Sequence, residues 1–324
     1  MKHLTILVPE GQNNLESIVG TYQIFTRANT YWENSGKKAL FNIDLAGLSK
    51  EVGFYDDIFN VEIQTPVSSI SKTDLIIIPS LNHNYHQAME GNKELIDWIK
   101  RQYKEGAEVA SMCTGAFLLA SSGLLNGKSC STHWSVSDNF RSMFPKVDLQ
   151  TDKLITDENG IYTNGGAYSF LNLIIYLVEK YYNRQTAIYC SKIFQIEMDR
   201  QNQSAFIIFK GQKIHKDDIV KEAQNFIENN VQEKISIKQL ASMFAVSRRQ
   251  FDRRFIKATG NTPFEYLQRV KVEAAKKLLE VGRKTISEVM YEVGYSDASA
   301  FRRVFKDVTS LSPLEYRSRY NNES

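Results

Sequence analysis

The stretch ISIKQLASMFAVSRRQFDRRF, residues 235–255, is repeated later in the chain as KTISEVMYEVGYSDASAFRRVF, residues 284–305. Matching positions lie 49 residues apart in the first part of the copies, as in Leu240 and Val289, and 50 apart in the second part, as in Phe251 and Phe301. Each copy begins with apolar residues at helical spacing, passes through a short turn and continues into a second segment at helical spacing. The repeat therefore predicts an all-α C-terminal domain with two helix-turn-helix motifs.

The second helix of each motif has a polar and mostly basic outer face. Arginine can bond O6 and N7 of guanine together, and glutamine can bond adenine in the same way, so such a face suits the major groove of DNA. The predicted DNA-binding residues are Arg248, Arg249, Gln250, Arg253 and Arg254 in the first motif and Ser299, Arg302, Arg303 and Lys306 in the second. Among these, Arg249, Arg253 and Arg303 are expected to read bases. Arg248, Arg254 and Lys306 are expected to contact phosphates, which positions a protein on DNA without specifying a sequence.

A single helix is predicted to join the two motifs. Thr262-Pro263-Phe264-Glu265 has the residues of a capping box with proline at the first helical position. Gly282 is expected to end this helix in a left-handed conformation, and Ser236 and Ser247 are predicted N-caps of neighbouring helices. A rigid connection would hold the two recognition helices about 34 Å apart if both enter one face of a duplex.

The charge of the chain is distributed unevenly. Residues 1–211 contain 19 Lys and Arg against 22 Asp and Glu, whereas residues 212–324 contain 21 against 15. The basic half is the half with the repeat, and this asymmetry favours binding to a polyanion.

The remaining bulk features indicate a protein of the reducing cytoplasm. The three cysteines, Cys113, Cys130 and Cys190, are an odd number at scattered spacing, which argues against a disulfide framework. No apolar run approaches the roughly 20 residues of a membrane helix. The N-terminus runs directly into a strand-like segment, so we expect no signal peptide.

The N-terminal half alternates short apolar runs with helical patterns. This alternation predicts a three-layer α/β domain of flavodoxin-like type, with a parallel sheet covered on both faces and ligands bound beyond the carboxyl ends of the strands. The predicted strands are 4–8, 41–46, 75–78 and 108–112, and the predicted helices are 15–25, 95–103, 114–122 and 168–181.

Cys113 stands at a sharp turn between a predicted strand and a predicted helix. Small residues follow it in Thr114-Gly115-Ala116, and a side chain at such a turn faces the crevice, where a helix N-terminus favours a thiolate. A serine at an analogous turn serves hydrolases. The alternative interpretation is that Cys113 is a small buried apolar residue, which is the common state of free cysteine.

The C-terminal segment, residues about 217–320, resembles the DNA-binding domain of AraC-type transcription regulators. The residues that support this resemblance are Leu240-Ala241, Val246-Ser247, Phe251-Asp252-Arg253-Arg254-Phe255, Gly294-Tyr295-Ser296, Phe301-Arg302-Arg303-Val304-Phe305-Lys306 and Ser312-Pro313-Leu314-Glu315-Tyr316-Arg317. The resemblance implies that both recognition helices insert into adjacent segments of the major groove.

The N-terminal half, residues about 3–185, resembles the PfpI branch of the class I glutamine amidotransferase-like superfamily. The motifs that support this are Asp74-Leu75-Ile76-Ile77-Ile78-Pro79, Cys113-Thr114-Gly115-Ala116-Phe117, Gly123-Leu124-Leu125-Asn126-Gly127, Thr132-His133-Trp134 and Thr163-Asn164-Gly165-Gly166. The resemblance implies an elbow cysteine working with a histidine and an acidic residue, roles that correspond to Cys113, His133 and Glu16. In that family Pro is usually followed by Gly-Gly, whose amides help to form an oxyanion hole, but here Pro79 is followed by Ser80-Leu81. This departure weakens the case for acyl chemistry, because removing one such donor costs about 10²–10³ in rate.

The sequence thus predicts a sensor domain at 1–200, a linker at 201–216 and a DNA-binding domain at 217–324. The linker is interpreted as a packed connector or an edge strand. The expected protein is a cytoplasmic, nucleoid-associated transcription regulator that binds double-stranded DNA and a small-molecule effector, forms a homodimer, does not interact with membranes and uses no cofactor or metal. Cys113, His133 and Glu16 form the candidate ligand pocket. For His83 and His86, a solvated loop is the preferred interpretation, and the alternative is a metal held by these two residues with Cys113 and His133. Two alternatives remain for the N-terminal domain: a Cys-dependent hydrolase, hydratase or amidase, and a dimerisation module without a ligand.

Overall fold

The structure is a computed structural model that describes residues 1–11, 13–82, 84–200 and 202–321. Within this described part the chain divides into two compact units, Met1–Gln203 and Ser204–Ser324. The segment predicted as a linker, 201–216, therefore lies mostly in the second unit.

The first unit is built on a twisted sheet whose central strands are parallel. The described strands run β1 Lys2–Leu7, β2 Phe41–Gly47, β3 Glu51–Phe54, β4 Phe59–Glu62, β5 Thr65–Pro66, β6 Leu75–Ile78, β7 Glu108–Met112, β8 Ser129–Cys130, β9 Asp148–Leu149, β10 Ile155–Glu158 and β11 Ile161–Asn164. The main sheet has the order β10-β11-β7-β6-β1-β2-β5, while β3 pairs with β4 and β8 pairs with β9 in small separate sheets. Read from β2 through β1, β6, β7 and β11, the parallel strands have the 2-1-3-4-5 order of flavodoxin-like folds.

Helices cover both faces of this sheet. They are α1 Leu15–Asn34, α2 Tyr85–Gly91, α3 Lys93–Lys104, α4 Ala116–Ser121, α5 Ser137–Met143, α6 Phe170–Tyr181 and α7 Arg184–Phe194. Successive residues of β6 enter different cores: Leu75 and Ile77 pack with α1, α6 and α7, whereas Ile76 and Ile78 pack with α3, α4 and α5. The predicted three-layer α/β architecture is confirmed.

Two features of the first unit differ from the sequence prediction. Strand β10 pairs with β11 in antiparallel register, so one edge of the sheet is not parallel. Helix α1 continues nine residues beyond the predicted end at Phe25. The added turns pack through aromatic rings, since Tyr31 stacks on Tyr189 and Trp32 meets Tyr182 edge-on. These partners lie far away in sequence, where a periodicity argument does not reach.

The second unit is helical, and one long helix serves both of its hydrophobic cores. Its described helices are α8 Asp218–Asn229, α9 Ile237–Met243, α10 Arg248–Thr259, α11 Pro263–Glu280, α12 Ile286–Glu292, α13 Ala298–Thr309 and α14 Pro313–Tyr320. Tyr266, Leu267 and Val270 of α11 pack with α8, α9 and α10. Val272, Ala275 and Leu279 of the same helix pack with α12, α13 and α14.

Most of the predicted helix starts in this unit carry the expected caps. The Ser247 side chain accepts a hydrogen bond from the Gln250 amide, and both predicted capping boxes, at Thr262 and Ser312, are formed. Ser236 occupies the N-cap position of α9, but within the described residues its side chain makes no cap bond. Gly282 has a positive φ of +123°, as expected for the glycine that follows this helix. Helix α11 ends at Glu280 with an extended Val281, and the Asn321 side chain donates to the carbonyl oxygens of Leu279 and Gly282.

Candidate nucleic-acid interface and Cys113 crevice

A left-handed residue forms the turn of each helix-turn-helix. Ala245 has φ +52° and its counterpart Gly294 has φ +74°. An added Cβ on Gly294 would overlap the Lys271 Nζ and lie 2.6 Å from the Gln232 carbonyl oxygen. The second turn therefore needs glycine for space as well as for its backbone conformation, whereas the first turn accommodates alanine.

Helix α10 turns a basic face to solvent. Phe251 and Phe255 are fully buried against α9 and α11, so the intervening positions point outward. The exposed side chains among the predicted DNA-binding residues of this helix are Arg248, Arg249, Gln250 and Arg253. Arg248 also pairs along the helix with Asp252, through Nε at 2.8 Å.

Arg254 is placed differently from its neighbours. Its Nε and Nη2 donate to both carboxylate oxygens of Asp217 at 2.8 Å each, and both side chains are partly buried. The Arg254 guanidinium holds the pKa of Asp217 below its ordinary value. Asp217 is in turn the N-cap of α8, where it accepts from the Val220 amide. The phosphate contact expected for Arg254 competes with this bidentate pair, which joins α8 to α10.

Helix α13 presents the corresponding face of the second motif. Asp297 caps it by accepting from the Ala300 amide, and Phe301, Val304 and Phe305 are buried beneath it. The predicted residues Ser299, Arg302, Arg303 and Lys306 are all exposed.

Lys271 connects the two motifs from inside the protein, although no sequence pattern distinguishes it from an exposed helical lysine. Its side chain is 5% exposed. The ammonium group donates to the carbonyl oxygens of Val231 at 2.7 Å, Glu233 at 3.0 Å and Val293 at 2.8 Å. Val231 and Glu233 follow α8, whereas Val293 ends α12, so one side chain of α11 is bonded to both halves of the unit. Burial lowers the pKa of Lys271 to about 8.

The second site is the Cys113 crevice, which we define by Ser80, Cys113, Thr114, Thr132 and His133 at the carboxyl ends of the strands. Cys113 has φ +52°, and a Cβ on Gly115 would overlap the Pro79 carbonyl oxygen. The chain therefore makes the sharp, closely packed strand-to-helix turn predicted from the sequence. Thr132 Oγ1 donates to the Cys113 carbonyl oxygen at 2.8 Å, which brings the loop of His133 against this turn.

The side chains expected to cooperate in this crevice are engaged elsewhere. His133 Nδ1 lies 2.7 Å from Ser135 Oγ, and Glu16 accepts from the Tyr55 hydroxyl at 2.9 and 2.8 Å. Among the described residues, no hydrogen bond joins Cys113 to either side chain. Burial raises the pKa of the Cys113 thiol and lowers the pKa of His133. Desolvation thus opposes the thiolate that a helix N-terminus would otherwise favour.

The backbone amides next to Pro79 are also occupied. The Ser80 amide donates to Ser17 Oγ at 3.2 Å, and the Leu81 amide donates to Thr114 Oγ1 at 2.9 Å. An oxyanion hole needs preorganised donors aimed at the position of the developing charge. Here the corresponding donors bond to hydroxyl groups of the protein.

An open cavity lies along the same edge of the sheet. It has a volume of about 530 Å³ and is formed by the loop after β1, the hairpin of β3 and β4, and Asn82 after β6. Its lining includes the carboxylates of Glu10, Glu51, Asp56 and Asp57. In the part of the chain that the structure describes, no group of three or more His, Cys, Asp or Glu is arranged to hold a metal. His83 lies outside the described residues.

Comparison with known proteins agrees with both halves of this description. A family model for the DJ-1/PfpI family matches residues 2–180, more than half of the chain. The chain belongs to the DJ-1/PfpI family. In this family member a second model, for a helix-turn-helix domain, matches residues 240–319. The two resemblances predicted from the sequence are confirmed.

Several known proteins are similar to this DJ-1/PfpI family member. HTH-type transcriptional regulator GbdR of Pseudomonas aeruginosa is 26% identical over 226 residues, which is 69% of this chain and 61% of GbdR. The match therefore spans less than two thirds of that relative. The fold of the first unit is similar to DJ-1beta of Drosophila melanogaster (TM-score 0.51, 16% identity, 60% of this chain and 98% of that one). It is also similar to an AraC family transcriptional regulator from Pseudomonas putida (TM-score 0.50, 16% identity, 60% and 100%). Among the described helices none is long and apolar enough to cross a membrane.

Proposed function

We propose that the protein is a sequence-specific DNA-binding transcription regulator. The observation that carries this proposal is the pair of exposed, arginine-bearing helices α10 and α13, each the second helix of its motif and both packed on α11. A shared helix gives both faces a common support, as reading two successive stretches of one duplex requires. The names of relatives such as GbdR agree with this function.

The exposed side chains divide into two roles. Arg249, Arg253 and Arg303 are proposed to read base edges, with Gln250, Ser299 and Arg302 on the same faces. Arg248 and Lys306 are proposed to contact phosphates. Arg254 is proposed to position α10 through Asp217, since both of its bonded nitrogen atoms face that carboxylate.

The first unit is proposed to bind a small effector and to have no catalytic role. Support comes from the Ser80 and Leu81 amides, which donate to Ser17 and Thr114, and from the buried thiol of Cys113. A crevice with a poorly ionised cysteine and occupied amides suits binding better than acyl transfer. A homodimer located in the cytoplasm at the nucleoid completes the proposal.

Selection of bound fragments from a random DNA pool, followed by anisotropy titration, tests DNA recognition. Arg253→Ala and Arg303→Ala are expected to lose about 1–3 kcal/mol on the selected site and to relax base choice at one position. Lys306→Ala should weaken binding to all DNA sequences alike and reduce the slope of log affinity against log salt concentration by about 1. A chain that binds selected and scrambled DNA equally refutes sequence-specific recognition.

The proposal for the first unit is tested by turnover assays with amides, nitriles and esters. Turnover that disappears in Cys113→Ser would replace the sensor interpretation with that of a Cys-dependent enzyme attached to a DNA-binding domain.

A further inference from the structure

Gln203 is the last residue of the first unit, and its side chain is fully buried in a polar network. The amide nitrogen donates to the carbonyl oxygens of Thr132 at 3.0 Å, Thr151 at 2.8 Å and Lys153 at 3.4 Å. Its backbone amide donates to the Asp152 carbonyl at 2.9 Å. The Gln203 side chain thus joins the loop of Thr132 to the segment that precedes β10 through hydrogen bonds.

Thr132 carries this attachment to the crevice. Its hydroxyl donates to the Cys113 carbonyl oxygen at 2.8 Å, and its neighbour is His133. The path from Gln203 to the backbone of Cys113 therefore contains only one intervening residue. Displacing Gln203 removes a donor from Thr132, and moving the Thr132 loop breaks a bond to the Cys113 turn.

The space for Gln203 is provided by a motif that the proposed function leaves without a role. A Cβ on Gly165, in Thr163-Asn164-Gly165-Gly166, would overlap Gln203 Nε2 and lie 2.6 Å from Ser131 Oγ. Ser131 is itself bonded to Thr163 and Lys153. The glycine is needed here because a buried amide occupies the position that a side chain would fill.

The residues immediately after Gln203 belong to the second unit and are bonded to its helices. Tyr320 donates to the Ala205 carbonyl at 3.3 Å, and the Phe206 ring meets the Tyr320 ring edge-on, with centroids 6.5 Å apart. Lys276 Nζ donates to the Ile207 carbonyl at 2.5 Å and to Glu273 at 2.7 Å. Glu273 also accepts from the Phe209 amide at 3.1 Å. Lys276 and Glu273 lie on α11, the helix that supports both recognition helices.

We propose that Gln203 is the positioning residue that couples the Cys113 crevice to the DNA-binding unit. Gln203 is bonded to the crevice, and residues 205–209 are bonded to α11 and α14. A ligand that moves the Thr132 loop therefore displaces Gln203 and, through the backbone that follows it, the residues bonded to these helices. The buried position of Gln203 also carries a cost that favours its release. Oε1 of Gln203 is buried and has no hydrogen-bond partner among the described residues. This oxygen therefore bears a desolvation penalty that exposure of the side chain to water relieves. This inference rests on the proposed function, because it assigns the regulation of the same crevice and the same helices.

A double-mutant cycle in the full chain tests the coupling without requiring DNA or an effector. The readout is the rate of Cys113 alkylation by iodoacetamide at fixed pH, followed by peptide mass spectrometry, with hydrogen exchange of the 131–135 peptide beside it. Gln203→Leu should accelerate alkylation about tenfold, the effect of losing roughly one net hydrogen-bond contribution in the closed state. Lys276→Met removes the bond to Ile207 and should accelerate alkylation about threefold, because the released connector holds Gln203 less firmly.

The decisive result is non-additivity. In the Gln203→Leu background, Lys276→Met should have no further effect on Cys113 alkylation. Equal acceleration by Lys276→Met in both backgrounds, or none in either, overturns the proposal. If Lys276→Met does not fold, Phe206→Ala takes its place, since Phe206 is 40% exposed and lies outside the buried core.

The matched control is Gln102→Leu. Gln102 is a fully buried glutamine of the first unit that bonds to Thr73 and Ser71. It should lower the stability of the first unit without altering the response of Cys113 to Lys276→Met. The selected DNA is then added as a separate arm. Failure to bind DNA refutes the proposed function and leaves the cycle interpretable. Binding that changes exchange at 131–135 in the wild type but not in Gln203→Leu supports the inference.

Discussion

Replacing Lys271 with methionine should loosen the connection between the two helix-turn-helix motifs. The side chain donates to the carbonyl oxygens of Val231, Glu233 and Val293, and methionine has a similar shape but no donor. Hydrogen bonds from a charged donor contribute about 1.5–3 kcal/mol each, so these three bonds together amount to about 4.5–9 kcal/mol. Burial lowers the pKa of Lys271 to about 8, so the cost of keeping the ammonium charged at pH 7 offsets part of this contribution. We expect a net loss near 3 kcal/mol in the stability of the second unit.

Hydrogen exchange of peptides from α9 to α13 in the full chain measures this loss. Trp32, Trp98 and Trp134 all belong to the first unit, so tryptophan fluorescence reports on that unit separately and should not change. Lys277→Met, at an exposed position of the same helix, is the control and should be close to neutral.

The pH dependence of the stability difference between wild type and Lys271→Met distinguishes the hydrogen bonds of Lys271 from the cost of burying its charge. The folded-state pKa of Lys271, about 8, lies below the ordinary value of 10.5, so the unfolded chain binds more protons between pH 8 and 10.5. The stability difference between wild type and Lys271→Met should be constant below pH 8 and widen as the pH rises through this window. A difference that stays constant up to pH 10.5 and narrows above it would show that the carbonyl groups hold the charge more strongly than burial opposes it. Equal stability of wild type and variant at pH 7 would refute the role of Lys271 altogether.

Three further predictions concern other parts of the molecule. Asp217→Asn retains a side chain that caps α8 but loses the pair with Arg254, so urea titration should show a loss of about 1 kcal/mol at pH 7. Arg254 lowers the pKa of Asp217. The stability difference between wild type and Asp217→Asn should therefore have its full size above the ordinary carboxyl pKa and disappear as the pH falls through the lowered pKa of Asp217. A stability difference that persists in acid would contradict the ion pair. Alkylation of Cys113 should have a midpoint above its ordinary thiol pKa, since burial raises that pKa. Fast reaction of Cys113 at neutral pH would restore the nucleophile interpretation. Gly294→Ala should destabilise the second unit by about 1–3 kcal/mol in thermal melts, because its Cβ would overlap Lys271 Nζ, whereas Gly91→Ala, with no atom within 4 Å of the added Cβ, should have little effect.

The sequence predicted those features that depend on neighbouring residues. The capping boxes at Thr262 and Ser312 each involve residues three positions apart, and the turn at Cys113 follows from a strand, a cysteine and small residues in direct succession. These local rules hold because the atoms involved are close in sequence and meet in any tertiary fold.

The remaining features depend on contacts between distant parts of the chain. Arg254 is on the outer face of α10 by periodicity, yet Asp217, 37 residues earlier, accepts both of its bonded donors. Lys271 looks like a solvent-exposed lysine in a helical pattern until α8 and α12 bring carbonyl groups to it. The Ser80 and Leu81 amides bond to hydroxyls of Ser17 and Thr114, which belong to other elements. Such pairings require the tertiary fold, and neither spacing nor composition encodes them.

The division of α11 between two hydrophobic cores has an evolutionary consequence. Tyr266, Leu267 and Val270 pack into one core and Val272, Ala275 and Leu279 into the other, with Val231 against both, so substitutions under α10 away from Val231 and Lys271 do not contact the packing under α13. Under the proposed function, the recognition surface of one motif can therefore diversify while the other keeps its preference. A lineage of such proteins would acquire new target sites one half at a time, with the retained half preserving affinity during each change.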